Sequence, residues 1–233
     1  MGLKEKQVNI AGSGYEGFML FLAEILCCAG KKILFADHTE EHNMMEYFPH
    51  VEGIDPVDNI IDNSGIGYVI LTGIKEREMT ADIKENTDSY DILFNLFDLK
   101  NFSRKDILKS DDDKKTDLSL FITDEKAENI AVLSHTTPGS DSILIINDYT
   151  GAIKRRIENT AGELGIEKVY VLPFNLRDRK LEILAGYNDR FKFSGLSRER
   201  EEVLTVLTGL IVPELTEKEK RKAYKTAAGG GRK

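Results

Sequence analysis

The stretch VNIAGSGYEGFMLFLAEIL, residues 8–26, runs from an apolar strand through three glycines into a helix rich in bulky apolar residues. A glycine loop at a strand-to-helix junction places backbone amides and a helix N-terminus where an anion would sit, which is the arrangement that holds nucleotide phosphates. Two signatures overlie it. Gly12-Ser13-Gly14-Tyr15-Glu16-Gly17 is a G-x-G-x-x-G dinucleotide fingerprint, and Asp37 ends the next strand twenty residues beyond Gly17, placed to take ribose hydroxyls. Gly12 and Gly17 also fit the G-x-x-x-x-G of a P-loop, but the Lys and Ser/Thr that should follow are Phe18 and Met19. Neither β/γ-phosphate charge nor a magnesium ion is served by those two side chains. A third reading needs no ligand: the glycines serve a tight turn and close packing.

Outward from the loop, strand and helix patterns alternate. Apolar runs predict strands in KKILFADHT, IGYVILTGI, YDILFNLFDL, DSILIINDY and KVYVLPFN, with SLFITD and NIAVLSH as weaker strand candidates. Helices are expected over 17–29, with Gly30 as its C-cap, over 151–164, and in SREREEVLTVLTGLIV. Continuous apolar strands between helices imply an α/β fold, a mostly parallel twisted sheet flanked by helices on both faces, with ligands at the carboxyl ends of the strands. No repeat or Pro/Ser-rich linker divides the chain, so residues 1–213 read as one domain. Residues 214–233 read as a basic tail ending in low-complexity KTAAGGGRK, expected to be disordered. The run at 111–115 reads as a solvated charge segment.

Composition narrows the function classes. A formal net charge of −8 over 233 residues argues against nucleic-acid binding by bulk electrostatics. Residues 217–233 hold seven Lys/Arg against two Glu, a local +5, which leaves −13 on the remainder. There is no membrane-length apolar run, no apolar leader, and Lys6 stands where myristoylation needs Ser or Thr. Cys27 and Cys28 are adjacent on a predicted helix and have no other cysteine to pair with, so a reducing cytoplasm is expected.

Over nearly its whole length the chain resembles the MinD/ParA group of deviant P-loop ATPases. AEILCCAGKKILFADHTEEHNM is similar to the family segment in which a helix leads through a lysine-bearing turn and a strand to an Asp-x-Asp. YDILFNLFD is similar to its Walker B strand, and ILIINDYTGAIKRRIENTAGELGIEKVYVLPFN to the strand with a base-reading Asn, its helix, and the strand ending in Ile-Pro. The resemblance implies that Asn147 contacts adenine and that 174–178, following Pro173 and ending at Asp178, packs beside the base. It makes Asp37 the first acid of the pair, with Thr39 replacing the second. The Walker B acid falls on Leu96, with Asp98 two residues on, and the signature lysine that crosses the dimer falls on Ser13. The residues lost are those that stabilise transferring charge, and each such donor is worth about 10²–10³ in rate. The resemblance with these losses implies a pseudo-ATPase and a homodimer, with ATP or ADP bound without hydrolysis or no cofactor at all. The Phe18 ring is then available to fill the space the lysine vacates.

Within that group the chain is similar to the divergent TadZ proteins, which place pilus or secretion machinery, so protein partners of a larger assembly are expected. Two rivals remain: a working ATPase completed by Lys31, Lys32 or a partner chain, and an NAD(P)-binding oxidoreductase on the fingerprint. Asp37 reads equally as a turn cap, and Asn147, before Asp148, Tyr149 and Gly151, equally as turn chemistry. HTEEH has Thr39 where a zinc helix needs Glu, so no metal is expected. The tail offers only Leu215, Ala223 and Tyr224 as apolar anchors, too few for a membrane-surface helix.

Overall fold

A computed structural model describes residues 6–49, 56–57, 59–71, 89–102, 118–136, 138, 141–187 and 192–230. The charge run at 111–115 and the last three residues lie outside them. The chain forms β1 (Lys6–Gly12), α1 (Glu16–Cys28), β2 (Ile33–Asp37), a 3₁₀ turn (Asn43–Tyr47), β3 (Ile61–Asn63), β4 (Ile66–Ile70), β5 (Ile92–Asp98) and a single turn, α2 (Leu99–Phe102). It continues through β6 (Leu118–Asp124), α3 (Ala127–Leu133), β7 (Ser142–Tyr149), α4 (Lys154–Glu163), β8 (Lys168–Pro173), α5 (Leu176–Ala185), α6 (Arg198–Ile211) and α7 (Glu217–Ala228). The expected α/β class holds. The sheet order is β3-β4-β2-β5-β1-β6-β7-β8, parallel except for the β3–β4 pair. The glycine loop therefore leaves the middle of the sheet, from β1 between β5 and β6.

Helix α1 explains most of the larger core. Every residue from Gly17 to Leu26 is buried, because the sheet lies under one side and α6 and α7 cover the other. A helix apolar all round suits only such a position. On the opposite face, Ile157 and Ala161 of α4 and Ile130 and Leu133 of α3 pack over Phe121, Leu144 and Ile146.

Three expectations fail for physical reasons. NIAVLSH is helix α3, not a strand: its apolar residues also fit helical spacing, and Ile130 and Leu133, three apart, both reach the core. The tail is not an appendage. Thr216 and Glu219 form a capping box that starts α7, and Ala223, Tyr224, Ala227 and Ala228 bury their small face against α1. The boundary drawn at residue 213 has no counterpart in this packing, and KTAA of the expected disordered end is helix. Finally, Leu176–Asp178, part of the stretch expected to pack beside a base, form the first turn of α5. Among the described residues no helix is long and apolar enough to cross a membrane.

Candidate functional site

Gly12 and Gly17 have packing causes, and Gly14 a conformational one. A Cβ on Gly12 would lie 1.8 Å from the Ile122 carbonyl oxygen, so β1 and β6 approach here as only glycine permits. The next amide, Ser13 N, donates to that same oxygen at 3.2 Å, which extends the sheet ladder into the loop and commits a donor that phosphate would need. Gly14 adopts φ +64°, and its carbonyl accepts from Asn147 Nδ2 at 3.4 Å. A Cβ on Gly17 would stand 2.7 Å from Glu182 Cγ of α5. Asn147, at the end of β7, is thus brought to the loop, and its Oδ1 is buried with no hydrogen-bond partner.

Phe18 and Met19, which follow the last glycine, are both fully buried. The Phe18 ring does not stand in the mouth of the loop. It belongs to the main core, with the Arg200 guanidinium of α6 at 5.9 Å from its centroid. Arg200 is itself buried, bonded to Glu182 and 3.5 Å from Asp178. Asp178 accepts from both the amide and the hydroxyl of Ser197, which ties α5 to the start of α6. Its carboxylate is engaged there rather than beside a base. Pro173 ends β8, exposed and paired with Tyr149. Residues 174–178 turn directly into α5, whose N-cap Asn175 accepts from the amides of Arg177 at 2.9 Å and Asp178 at 3.3 Å. The signal was present: Asn followed three residues later by an acid is a helix start.

The acid expected to serve ribose, or to be the first of an Asp-x-Asp pair, is sealed in. Asp37 has no exposure, and its oxygens accept from the Tyr68 hydroxyl at 2.7 Å, Thr39 N at 2.8 Å and Thr39 Oγ1 at 2.6 Å. Thr39, in place of a second acid, closes the turn after β2, and His42 Nδ1 lies 3.5 Å from the carboxylate. Tyr68 comes from β4, and no motif marks it. Burial, then Asp37, holds its phenol protonated. The buried Tyr15 phenol is likewise held up by burial and by Asp37, Glu16 and Asp98. Leu96, at the spacing of the Walker B acid, is core; Asp98 instead ends β5 in register with Gly12 and accepts from Glu40 N at 3.0 Å. His38 stacks on Phe97 at 4.8 Å, and burial lowers its pKa. No group of three metal-ligating side chains occurs among the described residues.

Glu16 occupies the start of α1. Its carboxyl is pushed up by burial, against the pull of a hydrogen bond from its own amide and of the Arg179 charge. An acidic side chain thus sits where the helix dipole favours a phosphate. Tyr47 flanks it from the 3₁₀ turn, near Gly186 at the C-cap of α5, and burial with Glu16 nearby pushes that phenol up to about 12.

No family model and no curated protein matches this sequence. Among solved structures, the fold is similar to a ParA family ATPase from Chlorobium tepidum TLS, with TM-score 0.51 and 11% identity over 96% of this chain and 98% of that one. It is similar to a plasmid partition protein from Borrelia burgdorferi B31 bound to AMPPNP, with TM-score 0.52 and 14% identity over 91% and 100%. It is also similar to apo McdA from Cyanthece, with TM-score 0.51 and 12% identity over 97% and 100%. The architecture is that of ParA-type P-loop NTPases. The residues at this loop do not fit a magnesium-bound triphosphate: both positions after Gly17 are in the core, Ser13 N is engaged by β6, and Glu16 meets the anion's place with its own charge.

Proposed function

We propose that this chain is a non-catalytic protein of the ParA/MinD-like fold, a pseudo-ATPase that acts as a dimeric scaffold or localisation factor of the TadZ kind for a pilus or secretion apparatus. One observation carries the loss of catalysis. Phe18, at the position of the P-loop lysine, is a core side chain under Arg200 and not a surface residue lining a pocket. A phosphate-binding lysine works only with its ammonium exposed at the loop, so helix α1 here is packed for a different purpose. Exposed Phe174, Leu176, Ile183 and Tyr187 on and beside α5 supply apolar surface of the kind that protein partners cover.

A second reading keeps nucleotide without hydrolysis. It is favoured by Asn147 Oδ1, buried beside Gly14 with no donor, where the amino group of a base would supply one.

A thermal-shift panel with ATP, ADP, NAD and NADP, each with and without magnesium, separates these readings, joined to a phosphate-release assay. A ligand of the folded state at a hundred times its dissociation constant stabilises by about 2.7 kcal/mol. The scaffold reading expects no shift and no turnover. A shift with ATP or ADP alone establishes the second reading, turnover overturns both, and a shift with NAD alone moves the loop to dinucleotide chemistry.

A further inference from the structure

The sheet is well closed at its centre and open at one side. Among the described residues strand β8 is the last in the order and pairs with β7 alone. On the face it shares with α4, Leu144 and Ile146 of β7 are fully buried beneath Ile157 and Ala161, whereas their neighbours on β8, Val169 and Val171, are 37% and 38% exposed. Helix α4 stops short of them. On the other face Tyr170 and Leu172 join the main core under α6, so the strand is held from that side, while among the described residues nothing pairs with its outer edge and its other face is partly exposed. Lys168 and Pro173 guard the two ends in the usual manner of edge strands, the four residues between them carry no charge or proline, and the pairing with β7 is regular from Lys168 to Val171, beyond which the register shifts between Ile146 and Tyr149.

We infer that β8 is a self-association edge, on which a second copy of this chain lays its own β8 antiparallel, joining the two sheets. The inference rests on the scaffold reading and names the surface that makes the dimer. The charges favour a second copy in this orientation. Lys154, Arg155 and Arg156 begin α4 at the carboxyl end of the sheet, offset in part by Glu158, 3.8 Å from Lys154, while Glu163 ends it and Glu167 precedes β8 at the opposite end, offset in part by Lys168, so the two ends keep net charges of opposite sign. All seven are exposed. A two-fold axis beside β8 lays the basic end of each copy against the acidic end of the other, which is a self-complementary pattern. With Tyr170 opposite Tyr170 of the second copy, Val169 faces the second copy's Val171, and two β-branched cross-strand pairs form on the partly exposed face. Strands β6 and β7 separate this edge from the glycine loop, so the association needs no nucleotide.

Sedimentation or light scattering of the full chain over a concentration series, without nucleotide, tests the edge. The parent chain is expected to pass from monomer to dimer. Val171→Lys, which enters a two-fold interface twice, is expected to weaken the dimer by more than about tenfold. Val206→Lys, at a similarly exposed valine on α6, leaves it unchanged. Tyr170→Cys adds a positive readout that does not depend on weakening anything. Directly opposed residues of an antiparallel pair lie about 4.5–5.5 Å apart at Cα, within disulfide reach, so mild oxidation gives an intermolecular cross-link that the parent chain, with its half-buried Cys27 and Cys28, does not. A chain monomeric at every concentration overturns the inference. So does a dimer that survives Val171→Lys and yields no cross-link, while leaving the pseudo-ATPase reading intact. Stabilisation by ATP overturns the ligand-free reading of the loop, and a Val171-sensitive, ATP-free dimer still stands beside it.

Discussion

Truncation of Phe18 asks whether the residue at the lysine position is a plug in a vacated pocket or a beam of the core. The ring has no exposure, packs among the residues that bury α1, and lies under the buried Arg200 guanidinium. Phe18→Ala removes the transfer free energy of a whole ring and leaves a cavity enclosed by sheet and helices, a change that costs about 3–5 kcal/mol. Loss of the cation–π contact, at 5.9 Å near the outer limit of that interaction, adds about 1 kcal/mol. For a chain of this size each kcal/mol lowers the melting temperature by about 2–4 °C, so a fall of roughly 8–24 °C is expected by calorimetry. The loss is a large share of a total stability of about 5–15 kcal/mol. Magnesium-ATP is expected to restore none of it. A loss below about 1 kcal/mol, or recovery with ATP, refutes the reasoning, because a side chain capping an open nucleotide pocket has few contacts to lose and ligand would replace them.

Three further outcomes follow from the same geometry. Gly12→Ala, which drives a Cβ into the Ile122 carbonyl, is expected to cost about 3 kcal/mol or more, while Gly14→Ala, in open space at φ +64°, costs about 1 kcal/mol; paired denaturant titrations compare them. Arg200→Met leaves Asp178 buried without its cation and Glu182 with only the exposed Arg179 at 3.2 Å, and is expected to cost about 3–5 kcal/mol, read by the same titration. Glu16→Gln tests the acid at the helix start by its pH dependence. The folded pKa lies above the ordinary 4.5, so ionisation opposes folding, and this carboxyl's destabilisation is absent below the unfolded value and grows as pH rises through the folded one. The variant is therefore expected to melt higher than the parent at neutral pH, with the gain vanishing as pH falls below about 4.3.

Much of the fold was legible because its inner strands are buried on both faces and its central helix on all sides. β1, β2, β5 and β7 read as continuous apolar runs, β8 read as one although it is a partly exposed edge strand, and residues 17–26 had no polar face to turn to water. The glycine spacing likewise placed a tight loop at the end of the central strand. Segments whose pattern admits two periods were lost: residues 129–135 suit strand and helix alike, and helix α5 was passed over although Asn175 caps it. The alanines of α7 carry little hydrophobicity of their own, and their burial depends on how closely two helices approach.

The sequence by itself determined that the lysine and hydroxyl of a P-loop are missing, since that is a matter of which atoms exist. Only the tertiary structure decided what the loop became instead. Phe18 lies under Arg200, a residue 182 positions away. Asp37 is sealed by a tyrosine 31 positions on. Asn147 meets a carbonyl 133 positions before it. Contacts of that range leave no local signal, because they arise from strand order and helix placement, and those are settled by burial over the whole chain rather than by any residue's neighbours in sequence.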